Sequence, residues 1–208
     1  MYEPTDIVSS EAQLRAIHPE IYASQTGKVI DHIDPLCRIW IERSPFVSIA
    51  TMDSAGRMDV APKGDPPGFV KVLDEKTLAI PDRPGNYRFD TFLNIFETGR
   101  IGLCFTIPKR SEVVRVNGSA RVVQDATLME SMAINGRIPP LAVLVRVEEA
   151  FYHCGKAMIR SGMWRPESWA DIDGIPTYAE ALIAHGRLDR ALDDMEAGIR
   201  SNETDRLY

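Results

Sequence analysis

The feature that most constrains the fold is a series of short segments with the two-residue period of β-strands, which begins at Phe46. The segments FVSIATM and MDVAPKG are separated by the turn DSAG, and the segments FVKVL and TLAI by the turn DEK. Tight turns require antiparallel neighbours, because a parallel crossover needs about a dozen residues or more. Further strand segments follow as IGLCFTI, VVRVNGSARVV and LAVLVRV. Six or seven antiparallel strands with one helix inserted among them predict a small barrel that is mainly β.

A helical segment precedes the strands. We predict that the first 44 residues are helical. One helix is predicted to start at Asp34-Pro35, where an N-cap residue is followed by proline at the first helical position. Ser44-Pro45 ends this pattern. The helix is expected to pack on the core or on a second subunit.

Another helix interrupts the strands, and further helices follow them. The inserted helix is predicted from apolar residues at the spacing of one helix face, which are Phe89, Phe92, Leu93 and Phe96. Gly99 ends it, and helical patterns recur near Ala126 to Asn135 and from Thr177 onward. We therefore expect one domain over 1–208. Its parts are a helical segment (1–44), a barrel (46–165) and a helical tail (166–208).

Charge and cysteine spacing exclude several classes of protein. The formal net charge is -6, whereas nucleic acids and anionic membranes are bound by clusters of Lys and Arg. The three cysteines lie far apart, which favours neither a disulfide framework nor a metal site. The sequence has no signal-peptide pattern and no apolar run long enough to span a membrane. A cytoplasmic protein without metal is the expectation.

A Gly/Pro loop is the first candidate for a functional site, because the common GxGxxG, Walker, HExxH and GxSxG motifs are absent. Lys63 lies at a strand end, and Arg83, Asn86 and Arg88 lie in a loop that opens onto a helix. A helix N-terminus offers free N–H groups and a partial positive charge, so such a loop can hold a phosphate. From the spacing alone, a solvated turn explains the same residues equally well.

Three motifs in a fixed order give the chain a family resemblance. They are PKGDPPGFV at Pro62 to Val70, PDRPGNYR at Pro81 to Arg88, and RVNGSA at Arg115 to Ala120. With them, the run from Phe46 to Val123 resembles the FMN-binding split barrel of the pyridoxamine 5'-phosphate oxidase-like superfamily. The resemblance implies a six- to seven-stranded antiparallel split β-barrel of FMN-binding type, with N-terminal and C-terminal helices. It also implies FMN as the cofactor.

The resemblance further implies which residues bind the flavin. The strand from Ala61 to Asp65 would run along the isoalloxazine ring and the ribityl chain, and the Gly/Pro loop would border the flavin and receive its phosphate. The implied contacts are Ala61, Pro62, Lys63, Gly64, Asp65, Pro81, Asp82, Asn86 and Arg88. Arg115 is a further candidate, although a strand arginine that faces solvent explains it equally well.

Split-barrel relatives bind flavin between two subunits, which implies a homodimer with flavin sites at its interface. The stretch FYHCGKAMIRSGMW follows the last predicted strand, and in such a dimer its side chains reach the flavin held mainly by the partner. The implied contacts are His153, Cys154, Lys156 and Arg160. A small buried apolar role is the commoner one for a free cysteine such as Cys154.

The resemblance predicts a flavoprotein and leaves its reaction open. We predict an FMN-dependent oxidoreductase that moves electrons from a reduced donor, such as NAD(P)H, to a small-molecule acceptor. The alternatives are a flavin or haem binding protein without catalysis, and a barrel without a cofactor. The chain has Asn-Tyr-Arg where the oxidase itself carries Ser-Arg-Lys, and it lacks the oxidase's C-terminal Arg-Leu-His-Asp-Arg stretch. Oxidation of pyridoxamine phosphate is therefore not expected.

Overall fold

A seven-stranded antiparallel sheet forms the body of the protein in the computed structural model, which describes residues 1–18 and 20–208. The strands are β1 (Phe46–Met52), β2 (Met58–Gly64), β3 (Lys71–Asp74), β4 (Thr77–Pro81), β5 (Arg100–Thr106), β6 (Val113–Val123) and β7 (Ala142–His153). Their order across the sheet is β2-β1-β5-β6-β7-β4-β3, and neighbours are antiparallel. The predicted fold class is confirmed, because the protein is a split β-barrel that is mainly β with helices.

Helices precede, interrupt and follow the strands. They are α1 (Glu11–Ile17), α2 (Ala23–Thr26), α3 (Pro35–Arg43), α4 (Asp90–Thr98), α5 (Ala126–Ser131), α6 (Lys156–Ser161), a 3-10 helix (Pro166–Ser168), α7 (Tyr178–Gly186) and α8 (Leu192–Asp205). As predicted, Asp34 caps α3, since its side chain accepts a hydrogen bond from the Cys37 N–H at 2.8 Å. The prediction that the first 44 residues are all helical is wrong. Residues 1–9 contain no helix, and Ile30 instead forms a β-bridge with β7.

The core lies on one face of the strands and under α3. In β1, Val47 and Ile49 are buried, and the residues between them are less so, as the two-residue period requires. Trp40 of α3 reaches the same core and donates its indole N–H to the carbonyl of Phe105 at 3.3 Å. The helix before the barrel therefore completes the core rather than extending away from it.

Helix α4 confirms the predicted inserted helix, and Gly99, with φ of 64°, ends it. Its buried face, however, carries the polar side chains of Thr91 and Asn94. Leu93 and Phe96, from the apolar stripe that predicted the helix, are exposed. The apolar stripe of α4 therefore contributes to the surface of the chain.

Strand β7 runs further than the sequence pattern predicts. It continues through Phe151 to His153, because β6 is long enough to pair with it as far as Val113. The prediction that His153 follows the last strand is therefore wrong. Cys154 comes directly after the strand and leads into α6.

Candidate functional site

A cavity of about 660 Å³ lies between β2, the loop after β4 and the start of α4. The sequence-predicted residues that line it are Ala61, Pro62, Lys63, Gly64, Pro81, Asp82, Asn86 and Arg88. The fold thus brings the predicted strand and the predicted Gly/Pro loop to one place. The volume is that of a small-molecule site, for which about 300–1,000 Å³ is usual.

Lys63 reaches this cavity because of the side-chain alternation of β2. It lies opposite Val47 of β1, so its side chain is on the face of the sheet that carries the core. No carboxylate of the described residues lies within ion-pair distance of its ammonium group. Lys63 is therefore a cation available to an anionic ligand.

The loop from 82 to 89 has an unusual backbone. Tyr87 and Phe89 have φ of 57° and 61°, in the left-handed region that costs a residue with a side chain about 1 kcal/mol or more. Phe89 precedes α4, and its side chain makes no capping hydrogen bond there. The first N–H groups of a helix have no intrahelical acceptor, and Asp90 and Thr91 of this first turn line the cavity. The start of α4 is therefore open to an anion at the N–H groups other than that of Asp90, whose N–H donates to its own carboxylate.

Four aromatic residues line the same cavity, and three of them, Tyr87, Phe89 and Phe92, lie side by side and are called the aromatic wall; the fourth is Phe69. The rings of Tyr87 and Phe89 meet edge to face with centroids 6.1 Å apart, and those of Phe89 and Phe92 are stacked at 5.9 Å. Phe89 and Phe92 entered the sequence prediction only as part of the apolar stripe of a helix. The polar residues on the opposite face of α4 could have indicated that this aromatic face is free to line a site.

Asn86 and Arg88 are partly engaged within the loop itself. The Asn86 Oδ1 accepts a hydrogen bond from the backbone N–H of Arg88 at 3.1 Å. The Arg88 Nε donates to the Asp90 carboxylate at 2.7 Å, and the Arg88 side chain is 71% exposed. A ligand would have to compete with Asp90 for the guanidinium of Arg88. Lys63 has no such ion-pair partner in the described residues.

Asp65 lies away from the large cavity, on a smaller one of about 150 Å³. Its carboxylate accepts hydrogen bonds from the Arg83 Nε and from the Tyr208 hydroxyl, each at 2.6 Å. Arg83 lines both cavities, so Asp65 meets the large cavity through Arg83. Arg83 was predicted to lie in the phosphate-binding loop and was not among the flavin contacts that the family resemblance implies. No local signal could have found Tyr208, which is 143 positions from Asp65.

Arg115 lies on the same sheet as the cavity but several strands away. It pairs with Cys104 of β5, which pairs with Ser48 of β1, which in turn pairs with Pro62 at the cavity. Neighbouring strands are about 4.8 Å apart, so three spacings put Arg115 about 14 Å from Pro62. Its guanidinium carbon lies 5.0 Å from the centre of the Phe151 ring. Within one chain, Arg115 does not line the cavity.

Beyond Arg115 lie the residues that were predicted to reach the flavin from a partner subunit. Partial burial lowers the pKa of His153, and the nearby charges of Arg115 and Lys28 lower it further. Cys154 is an exposed free thiol, while α6 carries Lys156 in its first turn and Arg160 in its last. These four predicted contacts do not line the large cavity of their own chain.

Over residues 1–18 and 20–208, no cluster of His, Cys, Asp or Glu side chains could hold a metal ion. Within the same residues, no helix combines the length and the apolar character that crossing a membrane requires.

The barrel and its cavity define a split-barrel protein with a small-molecule site lined by basic, acidic and aromatic side chains. Residues 33–154 match the family model described as pyridoxamine 5'-phosphate oxidase. The chain belongs to the pyridoxamine 5'-phosphate oxidase family, which confirms the resemblance seen in its motifs. No curated protein matches it significantly in sequence.

Several solved structures are similar to this chain. HupZ from Group A Streptococcus is 21% identical, with 58% of this chain and 93% of that chain covered and a TM-score of 0.47. A putative pyridoxamine 5'-phosphate oxidase from Lactobacillus delbrueckii is 22% identical, with 59% and 95% covered and a TM-score of 0.46. An FMN-binding protein from Syntrophomonas wolfei is 12% identical, with 55% and 82% covered and a TM-score of 0.43.

Proposed function

We propose that the cavity binds FMN and that the protein is an FMN-dependent oxidoreductase, which moves electrons between a reduced donor such as NAD(P)H and a small-molecule acceptor. The observation that carries the proposal is that one cavity joins a cation, an open helix start and an aromatic wall. FMN has the matching parts, a phosphate and a planar ring system joined by a ribityl chain. Membership of the pyridoxamine 5'-phosphate oxidase family supports a flavin site.

The phosphate would be held at the junction of β2, the loop and α4. Lys63 supplies a point charge there, and the first turn of α4 supplies N–H donors. Arg83 adds a guanidinium that also lines the cavity. Hydrogen bonds to charged groups contribute about 1.5–3 kcal/mol each, so these groups together suit an anion.

The ring system would pack on the aromatic wall, because flat apolar rings stack favourably on one another. When bound, FMN supplies the electron-transfer chemistry, and the side chains have only to bind it, orient it and limit access of water. Burial raises the pKa of Asp82, and the charges of Lys63 and Arg83 only partly offset this. The Asp82 carboxyl can therefore hold a proton at the cavity more readily than an exposed aspartate.

The freshly purified protein is expected to be yellow, with the absorption bands of oxidised flavin, and to release FMN on denaturation. The visible spectrum and chromatography of the released chromophore measure this directly. Oxidation of NAD(P)H by the holoprotein with an artificial acceptor then tests turnover. A protein that takes up no FMN from excess would contradict the proposed cofactor, and bound FMN without turnover with any donor would favour a binding protein.

We further propose that a homodimer completes the site. Met58 and Val60 of β2 are exposed, as are Leu93 and Phe96 of α4, which packs against β1 and β2. Exposed apolar faces of this kind are typical of interfaces. We propose that a second copy of the chain covers these exposed residues. A twofold axis would then place His153, Cys154, Lys156 and Arg160 of one chain beside the cavity of the other.

Light scattering is expected to give a mass near twice the 23.3 kDa of one chain, and FMN should stabilise this dimer against dilution. Phe96→Glu should yield monomers that bind FMN more weakly, because it places a charge on the apolar face of α4 at a position that does not line the cavity. Ile172→Glu, an exposed apolar position in the loop before α7, serves as the control. A wild-type monomer that binds FMN equally well at every protein concentration would exclude the shared site.

A further inference from the structure

The buried ion pair behind the cavity has an unusual third member. The Asp65 side chain is 1% exposed and that of Arg83 is 18% exposed, so the carboxylate depends on protein partners for its hydrogen bonds. Arg83 donates to Oδ2 of this carboxylate, and the hydroxyl of Tyr208, which follows α8, donates to Oδ1. Each carboxylate oxygen therefore has its own donor.

The guanidinium of Arg83 is fixed at two of its three nitrogen atoms. Its Nε donates to Asp65, and its Nη2 donates to the carbonyl oxygen of Met132 at 3.0 Å. Over the described residues, Nη1 donates to no acceptor, and Arg83 lines the large cavity. Arg83 also lines the small cavity, so one nitrogen of a guanidinium held at two points has no protein acceptor in the described residues and borders both cavities.

The geometry of this pair depends on Tyr208. Arginine and a carboxylate often form two parallel hydrogen bonds, which use both carboxylate oxygens. With Tyr208 on Oδ1, Arg83 has a single contact, at Oδ2. Without the hydroxyl, a buried oxygen would lose its donor, and Arg83 could satisfy it only by turning its guanidinium further toward Asp65. That turn would withdraw the guanidinium from the cavity.

We infer that Tyr208 is a positioning residue of the cavity, which holds Arg83 in a single-point ion pair and keeps its remaining nitrogen available to an anionic ligand. The role of Tyr208 depends on the proposed function at one point, which is that the anionic group of the ligand is the FMN phosphate. The segment after α8 is then part of the binding site, although it does not line the cavity. Tyr208 is expected to affect phosphate recognition and to leave ring binding unchanged.

Tyr208→Phe removes the hydroxyl alone and is expected to raise the Kd for FMN about three- to tenfold, the range for one hydrogen bond, with riboflavin unaffected. Fluorescence titrations with both ligands measure this. Tyr178→Phe, at an exposed tyrosine of α7, is the matched control. Arg83→Ala combined with Tyr208→Phe should bind FMN no more weakly than Arg83→Ala alone, because both changes act through one guanidinium.

Equal losses for FMN and riboflavin, no change for FMN, or additive losses in the double variant would each overturn the inference. A spectrophotometric pH titration tests the contact without ligand. The pKa of Tyr208 is raised because its phenol donates to the Asp65 carboxylate, so Tyr208→Phe should remove one raised tyrosine transition, and an unchanged titration curve would also overturn the inference.

The proposed function fails separately if the wild-type protein binds neither flavin. The inference about Tyr208 is then judged with inorganic phosphate as the probe and thermal stabilisation as the readout. Stabilisation that is lost in Arg83→Ala and reduced in Tyr208→Phe supports it. An absence of stabilisation in the wild-type protein, or equal stabilisation in all variants, overturns it.

Discussion

Replacing Lys63 with alanine is expected to weaken FMN binding by about 10- to 100-fold and to change riboflavin binding little. Lys63 lines the cavity and forms no ion pair in the described residues, although its charge acts on the nearby Asp82 carboxyl. Losing a charge-assisted hydrogen bond to a phosphate costs about 1.5–3 kcal/mol. Fluorescence quenching titrations of the apoprotein with each flavin give the two affinities.

Two variants make this test specific. Lys109→Ala removes an exposed lysine between β5 and β6 that lines neither cavity, so FMN affinity should stay at the wild-type value. Arg88→Ala should have a smaller effect than Lys63→Ala, because the Arg88 guanidinium is paired with Asp90 and mostly exposed. Equal losses of FMN and riboflavin affinity in Lys63→Ala would assign Lys63 to the ring or to the fold instead of the phosphate.

The strands could be predicted because their boundaries are local signals. The segments predicted for β1, β2 and β6 end at the residues where the structure ends these strands. Turn residues such as those of DSAG interrupt the alternation within a few positions. The end of β7 could not be predicted in this way. Its last residues are held by pairing with Val113 and its neighbours in β6, which is a long-range contact.

The orientation of α4 shows the limit of periodicity. An apolar stripe predicts a helix with two faces, and it does not say which face is buried in a single chain. Here the buried face combines the apolar Ile95 with the polar Thr91 and Asn94, and Asn94 donates to the Thr51 hydroxyl at 3.0 Å. Of the predicted stripe, Phe92 packs against the core and lines the cavity, while Phe96 is exposed.

In the candidate site, too, the parts with a local sequence pattern could be predicted and the long-range contacts could not. The lining residues from Ala61 to Gly64 and from Pro81 to Arg88 could be predicted, because each set is a continuous segment with a recognisable motif. The contacts that hold the Arg83 side chain could not be predicted, because Asp65, Met132 and Tyr208 come from three distant parts of the chain. Contacts between distant segments leave no local pattern in the sequence, so they can be assigned only from the folded structure.

Gly118→Ala is expected to be among the most destabilising single changes in the barrel. Gly118 lies at the register shift between β6 and β7, where the two backbones approach closely. A Cβ at this position would overlap the carbonyl oxygen of Arg146 and lie 3.1 Å from its carbonyl carbon. These are backbone atoms of a paired strand, so they cannot rotate away as a side chain could.

Overpacking against backbone should lower the free energy of unfolding by about 3 kcal/mol or more, which corresponds to roughly 6–12 °C in Tm for a protein of this size. Thermal unfolding followed by circular dichroism measures the change. Gly198→Ala in α8 is the control, because a Cβ there first meets the end of the Arg190 side chain at 3.5 Å. In a helix, that change should stabilise by about 0.5–1 kcal/mol. A Gly118→Ala protein with the wild-type Tm would mean that β6 and β7 can separate at the register shift, and that the bulge does not require glycine.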